Sequence, residues 1–299
     1  MKRFLRWLAI ILGGLVMLLI LAALGVFILS NGRINQRYDF AVAEIAIPSD
    51  ADSLAQGEHI AITRGCIDCH GEDLGGDVFL DEAPAFLYAS NLTSGQGGIG
   101  ASYSDTDWVR AIRHGVGADG TPLLFMPSHE YYFLGDADLG ALIAYLKSLP
   151  AIDREPQASQ VRPLGRVLLL AGQFPLLPAE LIDHTAPRPT TPEVGVTVEY
   201  GQYLAVGCTG CHGEGYSGGV IPGVPPEWPP AANLTPGGRL ATWGEADFIN
   251  TLRTGVTPEN HQLNPQYMPW PQIAAMTDEE LKAMWLFFQS LPAQETGNR

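Results

Sequence analysis

Two stretches decide how this sequence is organised: Cys66-Ile67-Asp68-Cys69-His70 and Cys208-Thr209-Gly210-Cys211-His212. They contain all 4 cysteines of the chain, and in both stretches a histidine directly follows the second cysteine. C-x-x-C-H is the attachment signature of c-type haem. Two thiols one helical turn apart add to the two vinyl groups, and the adjacent histidine then lies under the iron. The sequence therefore predicts two covalently bound haem c groups, attached through Cys66, Cys69, Cys208 and Cys211, with His70 and His212 as proximal iron ligands.

Three other uses of paired cysteines explain the pattern less well. A thioredoxin-like redox pair occurs in a βαβ context, which this sequence lacks, and two structural disulfides would not explain a histidine after each pair. A Cys₄ zinc site needs pairs that are roughly 15–20 residues apart. Cys66 and Cys208 are 142 positions apart, so haem attachment remains the favoured interpretation.

The two motifs belong to an internal repeat, which further matches reveal. At the same offset of 142 the chain pairs Asn91-Leu92-Thr93 with Asn233-Leu234-Thr235, Met126-Pro127 with Met268-Pro269, and Ser148-Leu149-Pro150 with Ser290-Leu291-Pro292. Between these matching segments the offset is 140, and at that offset Asp107 and Arg113 match Asp247 and Arg253. Self-similarity at a fixed offset indicates that one domain is used twice.

A low-spin haem iron needs a sixth ligand, and the repeat identifies a candidate in each half. Met126 and Met268 both lie 56 residues after their proximal histidines, and a proline follows each of them. Proline restricts the preceding residue to an extended conformation, which suits a segment laid across a haem face. His129 and His261 are alternatives, but neither recurs in the other half. We interpret them, together with His59, His114 and His184, as ordinary surface or loop residues.

Between the motifs the sequence reads as helical, and the expected fold class is all-α. Helices are predicted at about 57–65 and 199–207, leading into the motifs, and at about 105–113 and 245–253. A last helix in each half, at about 136–149 and 277–291, carries apolar residues at helical spacing. Thr277 and Glu280 form a predicted capping box, and Pro150 and Pro292 mark the helix ends.

The first 30 residues predict a membrane anchor. The run from Trp7 to Leu29 has 23 residues without a charge, enough to cross a hydrocarbon core of ~30 Å. A cleaved signal is the alternative, but its apolar region spans ~7–15 residues, and the small-residue site Ala41-Val42-Ala43 comes too late for one. Bacteria attach haem c outside the cytoplasmic membrane. We therefore expect a single-pass inner-membrane protein with a cytoplasmic N-terminus and periplasmic haem domains.

The charge balance restricts the partners. The formal net charge is −15, and without Lys2, Arg3 and Arg6 the remaining 14 basic and 32 acidic residues give −18 outside the membrane. Such a field disfavours nucleic acid and anionic lipid surfaces and favours a basic protein partner, although it also serves solubility.

Taken together, C-x-x-C-H, Asn-Leu-Thr, Arg-x-Gly-Val and Met-Pro before a helix that ends in Leu-Pro resemble class I cytochrome c domains. The likeness is to the cytochrome subunits of membrane-bound alcohol and gluconate dehydrogenases, and it covers residues 54–150 and 195–292. It implies that Asn91, Asn233, Arg113 and Arg253 lie near haem propionates. Those subunits typically carry three haems and a C-terminal membrane attachment, whereas this chain has two motifs and an N-terminal apolar run.

The expected architecture is therefore an N-terminal transmembrane helix followed by two tandem class I cytochrome c domains. The expected divisions are a tip and anchor (1–30), a linker (31–53), the first domain (54–151), a proline-rich connector (152–194), the second domain (195–294) and a tail (295–299). The apolar centre of the connector, Val167 to Leu177, is too short to cross a membrane. It is expected to cover apolar surface where the domains meet, with lipid contact as the alternative.

The predicted function is electron transfer rather than catalysis. His/Met ligation fills both axial positions, which leaves no open iron for a small-molecule substrate and favours a relatively high potential. A dihaem peroxidase needs one haem that can lose its sixth ligand, and matching Met-Pro segments argue against it. The sequence leaves two kinds of partner open: a basic cytochrome that meets a tethered carrier, or a respiratory, photosynthetic or dehydrogenase complex that contains the chain as a subunit.

Overall fold

In the computed structural model, which describes residues 2–188, 190–225 and 227–298, the chain begins with one long helix, α1 (Lys2–Ile34). Among the described residues it is the one helix that is long and apolar enough to cross a membrane. Its most apolar 18-residue window has no buried residues. Since a core helix of a soluble protein would be covered by other elements, the exposure of α1 agrees with the predicted anchor.

The first repeat is mostly helical and contains one small sheet. Its elements are α2 (Ala51–Thr63), α3 (Cys66–His70), β1 (Asp77–Glu82), β2 (Ala85–Ala89), α4 (Asp105–His114), α5 (Ser128–Tyr131) and α6 (Asp136–Ser148). The connector then adds β3 (Gln160–Val161), α7 (Pro163–Leu170) and a 3₁₀ turn (Pro178–Leu181). The strands pair antiparallel in the order β1-β2-β3. This sheet was not predicted, because strands of two to six residues carry little periodic signal.

The second repeat has the same helical order. It comprises α8 (Val198–Ala205), a 3₁₀ turn (Val206–Cys208), α9 (Thr209–His212), a 3₁₀ turn (Arg239–Ala241), α10 (Glu245–Thr254), α11 (Trp270–Ile273) and α12 (Asp278–Ser290). The tandem, mainly helical architecture expected from the repeat is confirmed, whereas the domain boundaries stay predictions.

The ends of the last helices follow from local sequence. Thr277 and Glu280 form the predicted capping box of α12: the Thr277 hydroxyl accepts from the Glu280 backbone N–H, and the Glu280 carboxylate accepts from the Thr277 N–H. After α6 and α12, Leu149 and Leu291 are extended, with ψ of 143° and 147°. Each precedes a proline, whose ring disfavours the helical conformation at the preceding residue.

In each domain the first and last helices cross at a glycine. A Cβ on Gly57 of α2 would overlap the carbonyl oxygen of Ala141 in α6, and one on Gly201 of α8 would overlap that of Ala283 in α12. Glycine therefore lets the two backbones touch, and the crossing positions the attachment segment that follows α2 or α8.

The connector differs from its expected role. Its apolar residues Leu169, Phe174, Leu176 and Leu177 form a core with Ala85 and Leu87 of β2. It covers the hairpin of the first domain, while Gln173 and Pro175 approach Gly223 of the second. The expectation that the connector chiefly fills the surface where the domains meet is therefore wrong.

Candidate functional site

Each attachment motif contains a short helix that ends at a glycine. Gly65 precedes α3 with φ 71°, and Gly71 follows it with φ 81°. Gly213 ends α9 in the same way, with φ 78°. Such positive φ values suit glycine, which has no Cβ. The two cysteines of each motif are one helical turn apart. Both thiols therefore lie on the same side of the segment, as addition to two vinyl groups requires.

The first motif opens into a largely apolar cavity of about 290 Å³. Cys66, Cys69 and His70 line it together with Met126, the predicted sixth ligand. His129 is not among the lining residues, so the geometry favours Met126 over this alternative. Two thiols, an imidazole and a thioether around one apolar space form the donor set of haem c, and these residues fit that group.

Both predicted proximal histidines are oriented by a backbone carbonyl. Nδ1 of His70 lies 2.7 Å from the Ser90 carbonyl oxygen, and Nδ1 of His212 lies 2.7 Å from that of Ala232. A carbonyl oxygen accepts a hydrogen bond from a protonated Nδ1, which leaves Nε2 of His70 as the nitrogen able to bind iron. Burial also lowers the pKa of His70, favouring the neutral form that coordinates a metal.

The two Met-Pro segments have the same backbone turn. Pro127 has φ −77° and ψ 51°, and the Ser128 N–H donates to the Met126 carbonyl at 2.7 Å. Pro269 has φ −76° and ψ 55°, with the Trp270 N–H on the Met268 carbonyl at 2.7 Å. These values describe an inverse γ-turn. Met268 packs, partly buried, against the core of the second domain. Axial ligation by either methionine stays a prediction.

Burial favours protonated cysteine thiols in this fold. It raises the pKa of the Cys66 and Cys208 thiols to about 12 and that of Cys69 to about 11. A redox-active pair depends on a lowered thiol pKa. Among the described residues no disulfide is formed, and no group of three His, Cys, Asp or Glu side chains could hold a metal ion. The redox-pair, disulfide and zinc interpretations therefore gain no support.

Asn91 and Asn233 make equivalent hydrogen bonds in the two domains. The Asn91 amide donates to the Ile152 carbonyl at 2.7 Å, and its side-chain oxygen accepts from the Thr93 N–H at 2.9 Å. Asn233 donates to the Gln294 carbonyl at 2.8 Å in the same way. These bonds connect the loop that contains each asparagine to the segment that follows the last helix of the same domain.

The two predicted arginines also hold the last helix in place. Arg113 is 2% exposed, donates to the Leu134 carbonyl at 2.8 Å and pairs with Asp136 at 2.9 Å. Arg253 contacts the Ala274 carbonyl and pairs with Asp278 at 2.8 Å. Within the described part of the chain the Arg113 Nε has no hydrogen-bond partner. Contact between these arginines or asparagines and propionates stays a prediction.

Two further donors in the first cavity were missed by sequence reasoning. Tyr88 and Trp108 line the cavity, and the buried Tyr88 hydroxyl and Trp108 Nε1 have no hydrogen-bond partner among the residues that the structure describes. Buried donors normally find an acceptor, so both suit a haem propionate. The repeat gave no signal for Trp108, because Phe248 stands at the matching position of the second domain.

The domains meet through two related contacts between the attachment segments and the residues after the predicted axial methionines. Gln272 of α11 donates to the carboxylate of Asp68, inside the first motif. At the equivalent positions, 142 residues away, the Glu130 carboxylate lies against Gly210, inside the second motif. Each motif thus contacts the other domain.

Arg64, at the end of α2, strengthens this interface. Its guanidinium donates to the Leu204 carbonyl at 2.8 Å and the Tyr203 carbonyl at 3.3 Å, and it lies 5.7 Å from the Tyr203 ring centroid. His59 lies 2.9 Å from the carboxylate of Glu280 across the same boundary. His59 is therefore an interface residue rather than an ordinary surface residue.

Glu130 is the carboxylate at the centre of the interface. Burial raises the pKa of Glu130 to about 7, although nearby Arg64 acts in the opposite direction. His129 lies 3.9 Å away, but burial lowers the pKa of His129 and so disfavours its charged form. Near neutral pH, Glu130 therefore titrates beside the second attachment segment.

His114 differs from the surface or loop residue that was expected, because it is buried in α4, whereas His184 lies in a loop of the connector. His114 is 7% exposed, and its Nδ1 lies 3.1 Å from Nδ1 of His184. The Phe40 ring stacks on His184 with centroids 4.4 Å apart. The pair joins α4 to the connector and to the chain that follows α1.

Comparison with known proteins agrees with this geometry. The profile of the cytochrome c family matches residues 54–150 and 198–292.

A nicotinate dehydrogenase subunit of Pseudomonas putida is 28% identical over 268 residues, covering 82% of this chain and 22% of its own length. The fructose dehydrogenase cytochrome subunit of Gluconobacter japonicus is 26% identical over 280 residues, covering 81% and 53%. The cytochrome c subunit of alcohol dehydrogenase (quinone) from Gluconacetobacter polyoxogenes is 26% identical over 282 residues, covering 83% and 58%. The chain thus spans at most 58% of the length of these relatives. The predicted likeness to cytochrome subunits of dehydrogenases is confirmed.

Proposed function

The chain belongs to the cytochrome c family, and from this we propose that it carries electrons through two covalently bound haem c groups, one in each domain. Such a group supplies one-electron chemistry, because its iron cycles between the ferrous and ferric states. The observation that carries the proposal is the first cavity, where Cys66, Cys69, His70 and Met126 converge on one apolar space. Repetition of this residue set at an offset of 142 supports a second site around Cys208, Cys211, His212 and Met268.

The chain's residues suit electron transfer better than catalysis. His70 with Met126, and His212 with Met268, would occupy both axial positions and leave no iron position for a substrate. The matching turns at Pro127 and Pro269 support a fixed methionine in each domain rather than one that departs, as a dihaem peroxidase would need. We therefore infer a carrier without a catalytic site of its own.

The domain interface supports transfer within the chain. The contacts of Gln272 with Asp68 and of Glu130 with Gly210 hold the two attachment segments side by side. Arg64 adds two hydrogen bonds across the boundary. An electron entering one domain would thus leave through the other without dissociation of the protein.

We propose that the partner is another redox protein, either a membrane complex or a basic cytochrome. The names of the relatives favour a dehydrogenase complex that contains the chain as its cytochrome subunit. The charge of −18 outside the membrane supports the alternative, a tethered carrier that meets a basic cytochrome or an oxidase of a respiratory or photosynthetic chain. In both cases α1 anchors the chain in the inner membrane with its domains in the periplasm.

Haem counting tests the proposal. Pyridine haemochrome analysis of the purified chain is expected to give two haems per polypeptide, and the Cys208→Ala/Cys211→Ala variant is expected to give one. The matched Cys66→Ala/Cys69→Ala variant should also retain one. A count near one in the unaltered chain would contradict the two-haem proposal, and a pair of variants that both keep two would show that the motifs are not the attachment sites.

A further inference from the structure

The connector helix α7 packs against the last turns of α1. The guanidinium carbon of Arg166 lies 4.7 Å from the Phe27 ring centroid, and its Nη1 donates to the Ser30 hydroxyl at 2.9 Å. Ser30 is fully buried by this contact. Arg33 donates to the Leu169 carbonyl at 3.0 Å and pairs with Glu180. These bonds hold α7 and the 3₁₀ turn that ends at Leu181 beside the end of the anchor.

The position of these contacts along α1 sets their level in a bilayer. The apolar run ends at Leu29, so Phe27 and Ser30 lie within about 3 Å, measured along the helix axis, of its end. If α1 spans the membrane, that end coincides with the boundary between acyl chains and headgroups. Because Arg166 stacks on Phe27, α7 lies at the same boundary.

One side of α7 faces its own domain and another remains uncovered. Gly165 is buried against the Pro84 carbonyl, and Leu169 is 2% exposed. Leu164 and Val167, three residues apart and therefore on one face, are 47% and 49% exposed. Leu181, next to the Glu180 that binds Arg33, is 64% exposed. We call these three exposed side chains, which lie on segments bonded to the end of α1, the apolar patch.

The local charge also suits a phospholipid surface. The chain as a whole carries −15, yet Arg162, Arg166 and Arg33 gather around this patch. Arg33 and Arg162 are paired with carboxylates. Arg166 contacts a hydroxyl and an aromatic ring and has no ion pair among the described residues, so its charge is available to a lipid phosphate. Interfacial helices combine apolar residues with arginine in this way.

We propose that α7 is an interfacial helix that docks on the phospholipid surface around the anchor, with Leu164, Val167 and Leu181 in the acyl boundary and Arg166 at the phosphates. The inference rests on the proposed anchoring by α1 and goes beyond it. A tether alone would let the first domain swing on the linker, whereas a docked α7 fixes the orientation of the first domain relative to the membrane.

Spin labels placed on the full haem-loaded chain test this docking. The native cysteines are consumed by haem attachment, so Leu164→Cys, Val167→Cys and Leu181→Cys each provide a single labelling site. Leu286→Cys, a partly exposed leucine on α12 of the second domain, is the matched control. The chain is reconstituted in nanodiscs of phosphatidylethanolamine and phosphatidylglycerol, and collisions with oxygen and with a water-soluble nickel chelate are measured by power saturation. We expect labels 164, 167 and 181 to collide preferentially with oxygen, as lipid-exposed sites do, and label 286 to collide preferentially with the nickel chelate.

A label at Leu18→Cys, in the middle of α1, separates the two proposals. If label 18 lies in lipid while 164, 167 and 181 behave like 286, the docking is wrong and the anchor stands. If label 18 is in water, the anchor fails and the docking with it. If labels 164, 167 and 181 are shielded from both reagents, the patch contacts protein rather than lipid, which also overturns the proposal. An unchanged haem spectrum confirms that each variant is folded.

Discussion

Replacing Glu130 by glutamine tests the electrostatics of the domain interface. Burial raises the pKa of this carboxyl from 4.5 to about 7. The folded chain therefore holds the proton more tightly than the unfolded chain, and the stability from this group falls as pH rises from 4.5 through about 7. At about 1.4 kcal/mol per pKa unit, the loss reaches at most about 3 kcal/mol. Glutamine has nearly the same shape and does not titrate, so the Glu130→Gln variant should lack this loss.

Other groups titrate in the same range with the opposite sign. Burial, together with His184, lowers the pKa of His114 from 6.5 to about 4. The contribution of His114 to the free energy of unfolding is complete above pH 6.5 and is lost as pH falls towards 4. The informative quantity is therefore the difference between the two proteins, measured by urea unfolding of the full chain in detergent at several pH values between 4.5 and 8. The two should agree near pH 4.5, and the variant should be more stable by up to about 3 kcal/mol near pH 8.

An exposed glutamate provides the control for this experiment. Glu193→Gln removes the same charge from the connector, at an exposed position away from the interface. It should shift the unfolding free energy by about 0.5 kcal/mol or less at every pH. A Glu130→Gln variant whose difference from the unaltered chain does not change with pH would refute the assignment of a titrating carboxylate to the interface.

Three further outcomes are expected. Gly201→Ala should destabilise the second domain by about 1–3 kcal/mol in thermal unfolding, because its Cβ would overlap the Ala283 carbonyl. The control Gly195→Ala, with open space around it, should have little effect. Equal effects of the two substitutions would exclude a tight helix crossing. Met126→Ala should lower the midpoint potential of one haem and leave the other in place in a spectroelectrochemical titration; an unchanged titration would point to His129 instead. Reduction of a basic soluble cytochrome should slow steeply as salt shortens the Debye length from ~30 Å at 0.01 M to ~8 Å at 0.15 M, and a flat dependence would favour a permanently bound partner.

Much of the helical architecture was accessible from sequence because its signals are local. The Thr277 capping box and the prolines after Leu149 and Leu291 act through neighbouring residues, so the helix ends could be read directly. The repeat added long-range information, since one offset aligned both motifs and both Met-Pro segments. The first cavity brings together Cys66, Cys69, His70 and Met126 as that alignment suggested.

What sequence could not reveal depends on contacts between distant segments. The connector covers the hairpin β1-β2, and the sequence of neither segment indicates that it packs against the other. Trp108 and Tyr88 were missed because an unpaired donor is recognised only once its burial is known. The expected roles of Arg113 and Arg253 came from family resemblance, whereas their contacts with Asp136 and Asp278 depend on how α4 and α10 meet the last helices.

The paired contacts between the domains have the form of an isologous dimer interface, in which a patch meets its own copy about a two-fold axis. In a true homodimer one substitution would alter both contacts, so the two sides could never differ. Here the copies lie in one polypeptide and have diverged: Gln272 faces a carboxylate at Asp68, whereas Glu130 faces Gly210, a residue without a side chain. The two attachment segments consequently have different charged groups beside them, and if each segment holds a haem, as proposed, the charge near one iron differs from the charge near the other.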